Sequence, residues 1–168
     1  MNLNQSPYEF EYVGGASNSY VFETTNEVTY QVKFKPTPYL FVNFPKLGEQ
    51  VYELVIELVY RPTADKLRAD PAIGPTVLAI CRDFFANKER ILLYICETAD
   101  ARHLARVRKF DAWFREFTTS KFLKLDIQFP DTNGLTYYIS LIFRRNHPDR
   151  HIIIDEFDVL AQQYDPDK

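Results

Sequence analysis

Two cysteines in 168 residues are too few for a disulfide framework. Cys81 and Cys96 also lack metal-ligand spacing, which predicts reduced thiols and a cytoplasmic setting. His103, His147 and His151 supply no better ligand set, because Pro148 interrupts the one i,i+4 pair. No metal site is expected. Apolar runs approaching the roughly 20 residues that cross a bilayer are missing, so no membrane partner is expected either. Met1–Gln5 is polar and uncharged where a signal peptide would be basic and then apolar. Residues 1–32 contain no Lys or Arg, and the net charge is −3, so the protein as a whole has no electrostatic reason to seek nucleic acid. Internal repeats, low-complexity tracts and linkers are absent as well.

Aromatic residues are plentiful. Fourteen Phe and eleven Tyr, within a hydrophobic content of 46%, suffice for a packed core. A chain of this length reads as one domain over residues 1–168, able to bury roughly 70% of its unfolded surface. Residues 1–7 and 164–168 are expected to fray.

Along the chain, Tyr8, Phe10 and Tyr12 alternate with Glu9 and Glu11 and stop at Gly14-Gly15. Tyr20–Thr24 and Val28–Phe34 read as a hairpin, and Leu40–Phe44, closed by Pro45, as a short edge strand. Val51–Tyr60 alternates as a longer strand. A helix starts near Asp70 or Gly74-Pro75, with Ile73, Val77, Ile80, Phe84 and Phe85 at helical spacing. Ile91–Cys96 is a continuous apolar run, as for a strand covered on both faces. Thr98 is placed as the N-cap of a second helix reaching Phe117, with Val107, Phe110, Phe114 and Phe117 on its buried arc and His103 inside that arc. Phe122–Phe129 and Leu135–Phe143 flank Asn133-Gly134, a strong hairpin signal. A third helix runs from Asp149 to Gln163. The expected fold is α+β, a mixed, mainly antiparallel sheet with helices packed on it, in which Val51–Tyr60 and Ile91–Cys96 are parallel neighbours.

Several groups carry candidate chemistry. Glu53 and Glu57 share one strand face and can serve as an acid–base pair, although alternate acids on a solvated face are ordinary. Cys96, Asp100 and His103 can form nucleophile, orienter and base if the fold brings them together; a buried structural Cys and His is the more common outcome. The outer face of the second helix is basic at Arg102, Arg108, Lys109 and Arg115, which suits phosphate or an acidic partner but is also the usual state of an amphipathic helix. The helix start at Ile73-Gly74-Pro75-Thr76, with Lys66 and Arg68 just upstream, is the candidate anion site, since helix N-termini present unpaired N–H groups.

Two resemblances follow from these residues. Asp70 to Phe117, with Ile73-Gly74-Pro75-Thr76, Tyr94-Ile95-Cys96-Glu97, Asp100, Arg106 and Phe110-x-x-Trp113-Phe114, resembles a family of small bacterial proteins of unknown function, mostly from Bacteroidota. The order of elements over Tyr8–Phe143 resembles the GCN5-related N-acetyltransferases. In that superfamily the loop and helix after the fourth strand hold the pyrophosphate of acetyl-CoA through an Arg/Gln-x-x-Gly-x-Gly/Ala run. Here Arg68 and Gly74 fit that run, while Pro75 removes one backbone donor. Glu53 or Glu57 stands where that family often keeps its base; its tyrosine acid has no counterpart, Val107 falling near the place.

The leading expectation is therefore a non-catalytic, cofactor-free module that binds another protein. The alternative is a CoA-dependent acyltransferase using acetyl-CoA. Nucleic-acid binding through Arg102, Lys109, Arg144 and Arg145 ranks last.

Overall fold

A computed structural model describes residues 5–97, 102–117, 121–130 and 133–163. Seven strands form one sheet: β1 Phe10–Gly14, β2 Ser19–Glu23, β3 Thr29–Pro36, β4 Val51–Tyr60, β5 Ile91–Glu97, β6 Phe122–Pro130 and β7 Thr136–Arg144. Their spatial order is β1-β2-β3-β4-β5-β7-β6. Neighbours are antiparallel except β4 and β5, which run parallel through Val51–Ile91, Tyr52–Leu92 and Glu53–Leu93. The helices are α1 Pro45–Gly48, α2 Ile73–Phe84, α3 His103–Phe117 and α4 Arg150–Gln163. Helix α2 is the crossover that a parallel pair requires. The fold is α+β, a mixed and mainly antiparallel sheet with helices on it.

Alternation along the strands sends side chains to two cores. Tyr20, Phe22, Val32, Phe34, Leu54 and Leu92 meet α2 and α3 on one face. Val51, Ile91, Leu93, Leu141 and Phe143 meet Phe41, Leu47, Ile153 and Phe157 on the other. Phe34 stacks on Phe84 at 4.0 Å between ring centres, fixing α2 over β3. Fully burying a side chain of this size contributes roughly 1.5–3 kcal/mol. The exposed Lys33–Glu57 pair, at 2.6 Å, belongs to a class worth about 0–1 kcal/mol. Aromatic packing therefore decides the fold.

Both ends of α2 are secured. At its start Asp70 Oδ1 accepts from Ala72 N at 2.9 Å, and Thr76 Oγ1 accepts from Tyr8 N at 2.8 Å. Tyr8 OH donates to Asp70 Oδ2 at 2.8 Å, so the N-terminal segment is tied down from Tyr8 onward. At its end Arg90 Nη1 donates to Phe84 O at 2.9 Å and Arg144 Nη2 to Phe85 O at 2.8 Å. Two guanidinium groups thus occupy carbonyls that a helix leaves unpaired, where its dipole favours cations. The flank is tied to the sheet by Tyr20 OH, which donates to Asp83 Oδ2 at 2.5 Å.

Most expected elements are present with small boundary shifts, and β4 runs over the expected residues. Leu40–Phe44 is a correction. Pro38–Phe41 forms one 3-10 turn and Pro45 opens α1, each with proline at the helix start. Proline's fixed φ favours a helix start and denies a ladder its donor. On α3, Trp113 is buried with Phe110 and Phe114, while Val107 is only half-buried. Thr98 and the side chain of Phe117 lie outside the described residues. At the β6–β7 hairpin Gly134 takes φ +76°, as the Asn-Gly signal requires.

Gly74 and Trp113 generate a stability prediction. A Cβ on Gly74 would stand 2.4 Å from Trp113 Nε1. Gly→Ala in a helix gains about 1 kcal/mol of propensity, whereas overpacking a tight core costs about 1–3 kcal/mol. The clash wins because the indole is buried between two helices. Gly74→Ala should unfold at lower urea concentration with an unchanged m-value, and the fluorescence of the single tryptophan should shift in the folded state. Equal or greater stability would refute this packing account.

The cysteines generate a second prediction. Cys81 is fully buried and Cys96 is 3% exposed, and burial pushes the Cys81 thiol up. Iodoacetamide in native buffer should label both slowly, and urea should make labelling fast. Rapid native labelling of Cys96 would show that its pocket opens readily.

Candidate binding cleft

The parallel ladder between β4 and β5 ends at Glu53 and Leu93, although both strands continue. β4 goes on to Tyr60 beside β3, and β5 goes on to Glu97 beside β7. Among the described residues both strands then have partners on their outer sides only, and they part to leave a cleft of about 450 Å³ between them. Its walls are Glu53–Ile56 and Tyr94–Cys96, and α3 closes one side with Arg106, Lys109, Phe110 and Trp113.

The floor is aromatic. Tyr94 stacks on Phe110 at 3.8 Å with 8° between the rings, and Phe110 continues to Phe114 at 4.2 Å. Burial is the main reason the Tyr94 phenol is pushed up to about 12; nearby Cys96 adds to this and Arg106 opposes it. Tyr94 is therefore a neutral wall at physiological pH. Arg106 Nε donates to Cys96 Sγ at 3.5 Å, and Lys109 Nζ lies 5.1 Å from the centre of the Trp113 ring. The mouth is cationic above an apolar floor, with Glu53 as the half-buried acid on the β4 side.

The expected site residues are scattered by this geometry. Glu53 lines the cleft, but Glu57 is exposed and bridged to Lys33, so the two carboxylates do not face one chamber. Asp100 and the side chain of His103 lie outside the described residues; Cys96 is held by Arg106. The expected anion site is enclosed by packing. Ile73, Gly74 and Thr76 are buried, with Trp113 against Gly74 and Tyr8 on Thr76, while Arg68 lies exposed in the preceding loop. Asp70 already supplies a carboxylate at this helix start. The glycine that suggested close approach of a ligand instead admits an indole. Lys109 on α3 and the pair Arg144 and Arg145 do not share a surface either: Lys109 borders this cleft, the pair lines a separate one beyond β7, and Arg102 precedes α3. Among the described residues no group of three or more His, Cys, Asp and Glu is arranged to hold a metal.

What the sequence could not show was the role of Arg106, Lys109 and Tyr94 together. Arg106 and Tyr94 stood in the resembling segment, and Lys109 on the basic face, but their convergence depends on where β5 leaves β4.

Comparison with known proteins gives three results. No curated protein matches the chain. A solved structure described as "Crystal structure of a putative phosphinothricin N-acetyltransferase" superposes with a TM-score of 0.41 and 13% identity, covering 78% of this chain and 73% of that one. A family model matches residues 69–159, more than half of the chain, and takes in α2, β5, α3, β6, β7 and most of α4. This segment contains the β5 and α3 walls of the cleft, and the protein belongs to that family, the family of unknown function DUF6169.

Proposed function

We propose that the protein is a non-catalytic binding module that takes an extended, acidic segment of another protein into the cleft, against the free edge of β4. One observation carries this reading: β4 continues to Tyr60 while its ladder with β5 stops at Glu53. The edge beyond Glu53 offers main-chain N–H and C=O groups to an added strand, which would lie about 4.8 Å away. Proteins usually blunt such edges with charge, proline or a covering element. Here the tip is Leu58-Val59-Tyr60, with Tyr60 56% exposed, so the edge suits a partner that covers it. Arg106 and Lys109 favour a segment with acidic side chains and also raise its encounter rate.

The second reading is a CoA-dependent acyltransferase using acetyl-CoA, with Glu53 as base. Its support is the parallel β4–β5 pair joined by α2, the arrangement expected for an acetyltransferase-like order of elements. Against it stands the helix start that would hold the pyrophosphate, which Trp113, Tyr8 and Asp70 already occupy. The geometry favours the peptide.

Amide NMR with two probes separates the readings. Arrayed acidic peptides of eight residues should yield binders that shift Leu54–Leu58 and Tyr94–Cys96, and Lys109→Glu should weaken them at least several-fold. CoA at millimolar concentration should leave Ile73–Thr76 unmoved. Shifts at Ile73–Thr76 with CoA, together with a raised melting temperature, would replace the binding-module reading with the enzyme. Shifts from neither probe would sink both.

A further inference from the structure

A second cleft of about 560 Å³ lies at the other end of the sheet, lined by Lys88, Lys121, Arg144, Arg145, Asn146 and Arg150. β5 and β7 are antiparallel, with Leu92 opposite Ile142 and Glu97 opposite Tyr137. Arg144 therefore sits where the β4–β5 ladder begins, away from the parted strands. Five cations converge on one concavity in a protein of net charge −3. They come from three separate stretches: the turn after α2, the start of β6, and the link from β7 to α4.

The way these side chains are held matters as much as their number. Arg144 Nη2 donates to Phe85 O at 2.8 Å, and its guanidinium lies 5.2 Å from the centre of the Phe122 ring. Arg150 Nη1 donates to Arg145 O at 3.4 Å, and Arg145 Nη2 to Phe122 O at 3.5 Å. Neutral carbonyls thus fix Arg144 and Arg150 without cancelling their charge. Among the described residues, Lys88, Lys121, Arg144 and Arg150 form no ion pair with a carboxylate. Guanidinium groups positioned in advance lose less side-chain freedom when an oxyanion arrives, and their planar forks match phosphate oxygens.

The geometry points to a site for a compact anion carrying two or three phosphate groups, either free or as the tail of a nucleotide. A single phosphate would leave most of the five cations unengaged. A long nucleic-acid backbone is disfavoured, because the cluster is one basin rather than a stripe and α4 continues from Arg150 into Asp155, Glu156 and Asp158. The site rests on different residues from the peptide cleft, so either can fail alone.

Titration calorimetry on the full chain, in low salt and then at 0.3 M, tests the site with tripolyphosphate, ATP, adenosine and a single-stranded oligonucleotide. Tripolyphosphate should bind saturably and weaken with salt, as screening requires. Adenosine should not bind. ATP binding as tightly as tripolyphosphate, or more tightly, supports the shared phosphate chemistry, and a preference for ATP would name the nucleotide as the source. Lys88 and Lys121 are exposed and outside the core, so Lys88→Glu with Lys121→Glu should leave the melt intact and weaken tripolyphosphate at least 100-fold. No saturable heat at millimolar tripolyphosphate overturns the inference. Binding that survives the double variant overturns the assignment to this cleft, and a tighter oligonucleotide overturns the compact ligand.

Discussion

Three residue pairs, Val51–Ile91, Tyr52–Leu92 and Glu53–Leu93, join the two halves of the sheet. On one side lie β1 to β4, paired as an antiparallel meander; on the other lie β5, β7 and β6. Because the joint is parallel, its connection must cross over the sheet, and α2 makes that crossing with its apolar face on Phe34, Leu54 and Leu92. Because the joint is short, β4 and β5 are free to diverge beyond it. The core, the cleft and the position of α3 all depend on these pairs. Further ladder bonds would close the cleft, and the two cores, each drawing on both halves, hold the half-sheets together around the joint.

The molecule places its charge at opposite ends of this joint. Where the strands part, Arg106 and Lys109 border an aromatic floor beside the stretch of β4 that has no second strand partner among the described residues. Where the strands meet, five cations gather around the end of β7, and backbone carbonyls of Phe85, Phe122 and Arg145 hold the three arginines among them. The first suits recognition of a backbone with side chains, the second recognition of bare oxyanions. Arg144 belongs to both fold and surface, since one Nη closes the end of α2 while the residue lines the basic cleft.

Gly74 shows how one residue carries opposite meanings before and after folding. In the chain it stands beside a proline at a helix start, with cations upstream, which is the setting of an anion site. In the folded protein Trp113 lies against it, while Tyr8 N bonds Thr76 Oγ1 and Asp70 accepts from Ala72 N and Tyr8 OH. The need for a residue without a side chain was legible, but the identity of the neighbour was not, because Trp113 arrives from 39 positions further along the chain. Leu40–Phe44 is turned by the prolines around it: an apolar run between prolines fits an edge strand or tight helical turns, and Pro38 and Pro45 at helix starts, with Phe41 packed into the second core, go with the turns.

The sequence by itself determined the elements whose information is local. Alternation set β4 from Val51 to Tyr60, Asn133-Gly134 set the last hairpin, and helical spacing set the apolar face of α2. These follow from periods of two and 3.6 residues and from backbone angles that few residues accept. Only the tertiary structure decided how far β4 and β5 stay paired, that Glu53 and Glu57 part company, and that Lys88, Lys121, Arg144, Arg145 and Arg150 share one basin. Such features arise where distant segments meet, and their positions follow from strand register and packing, which no short window of the chain contains.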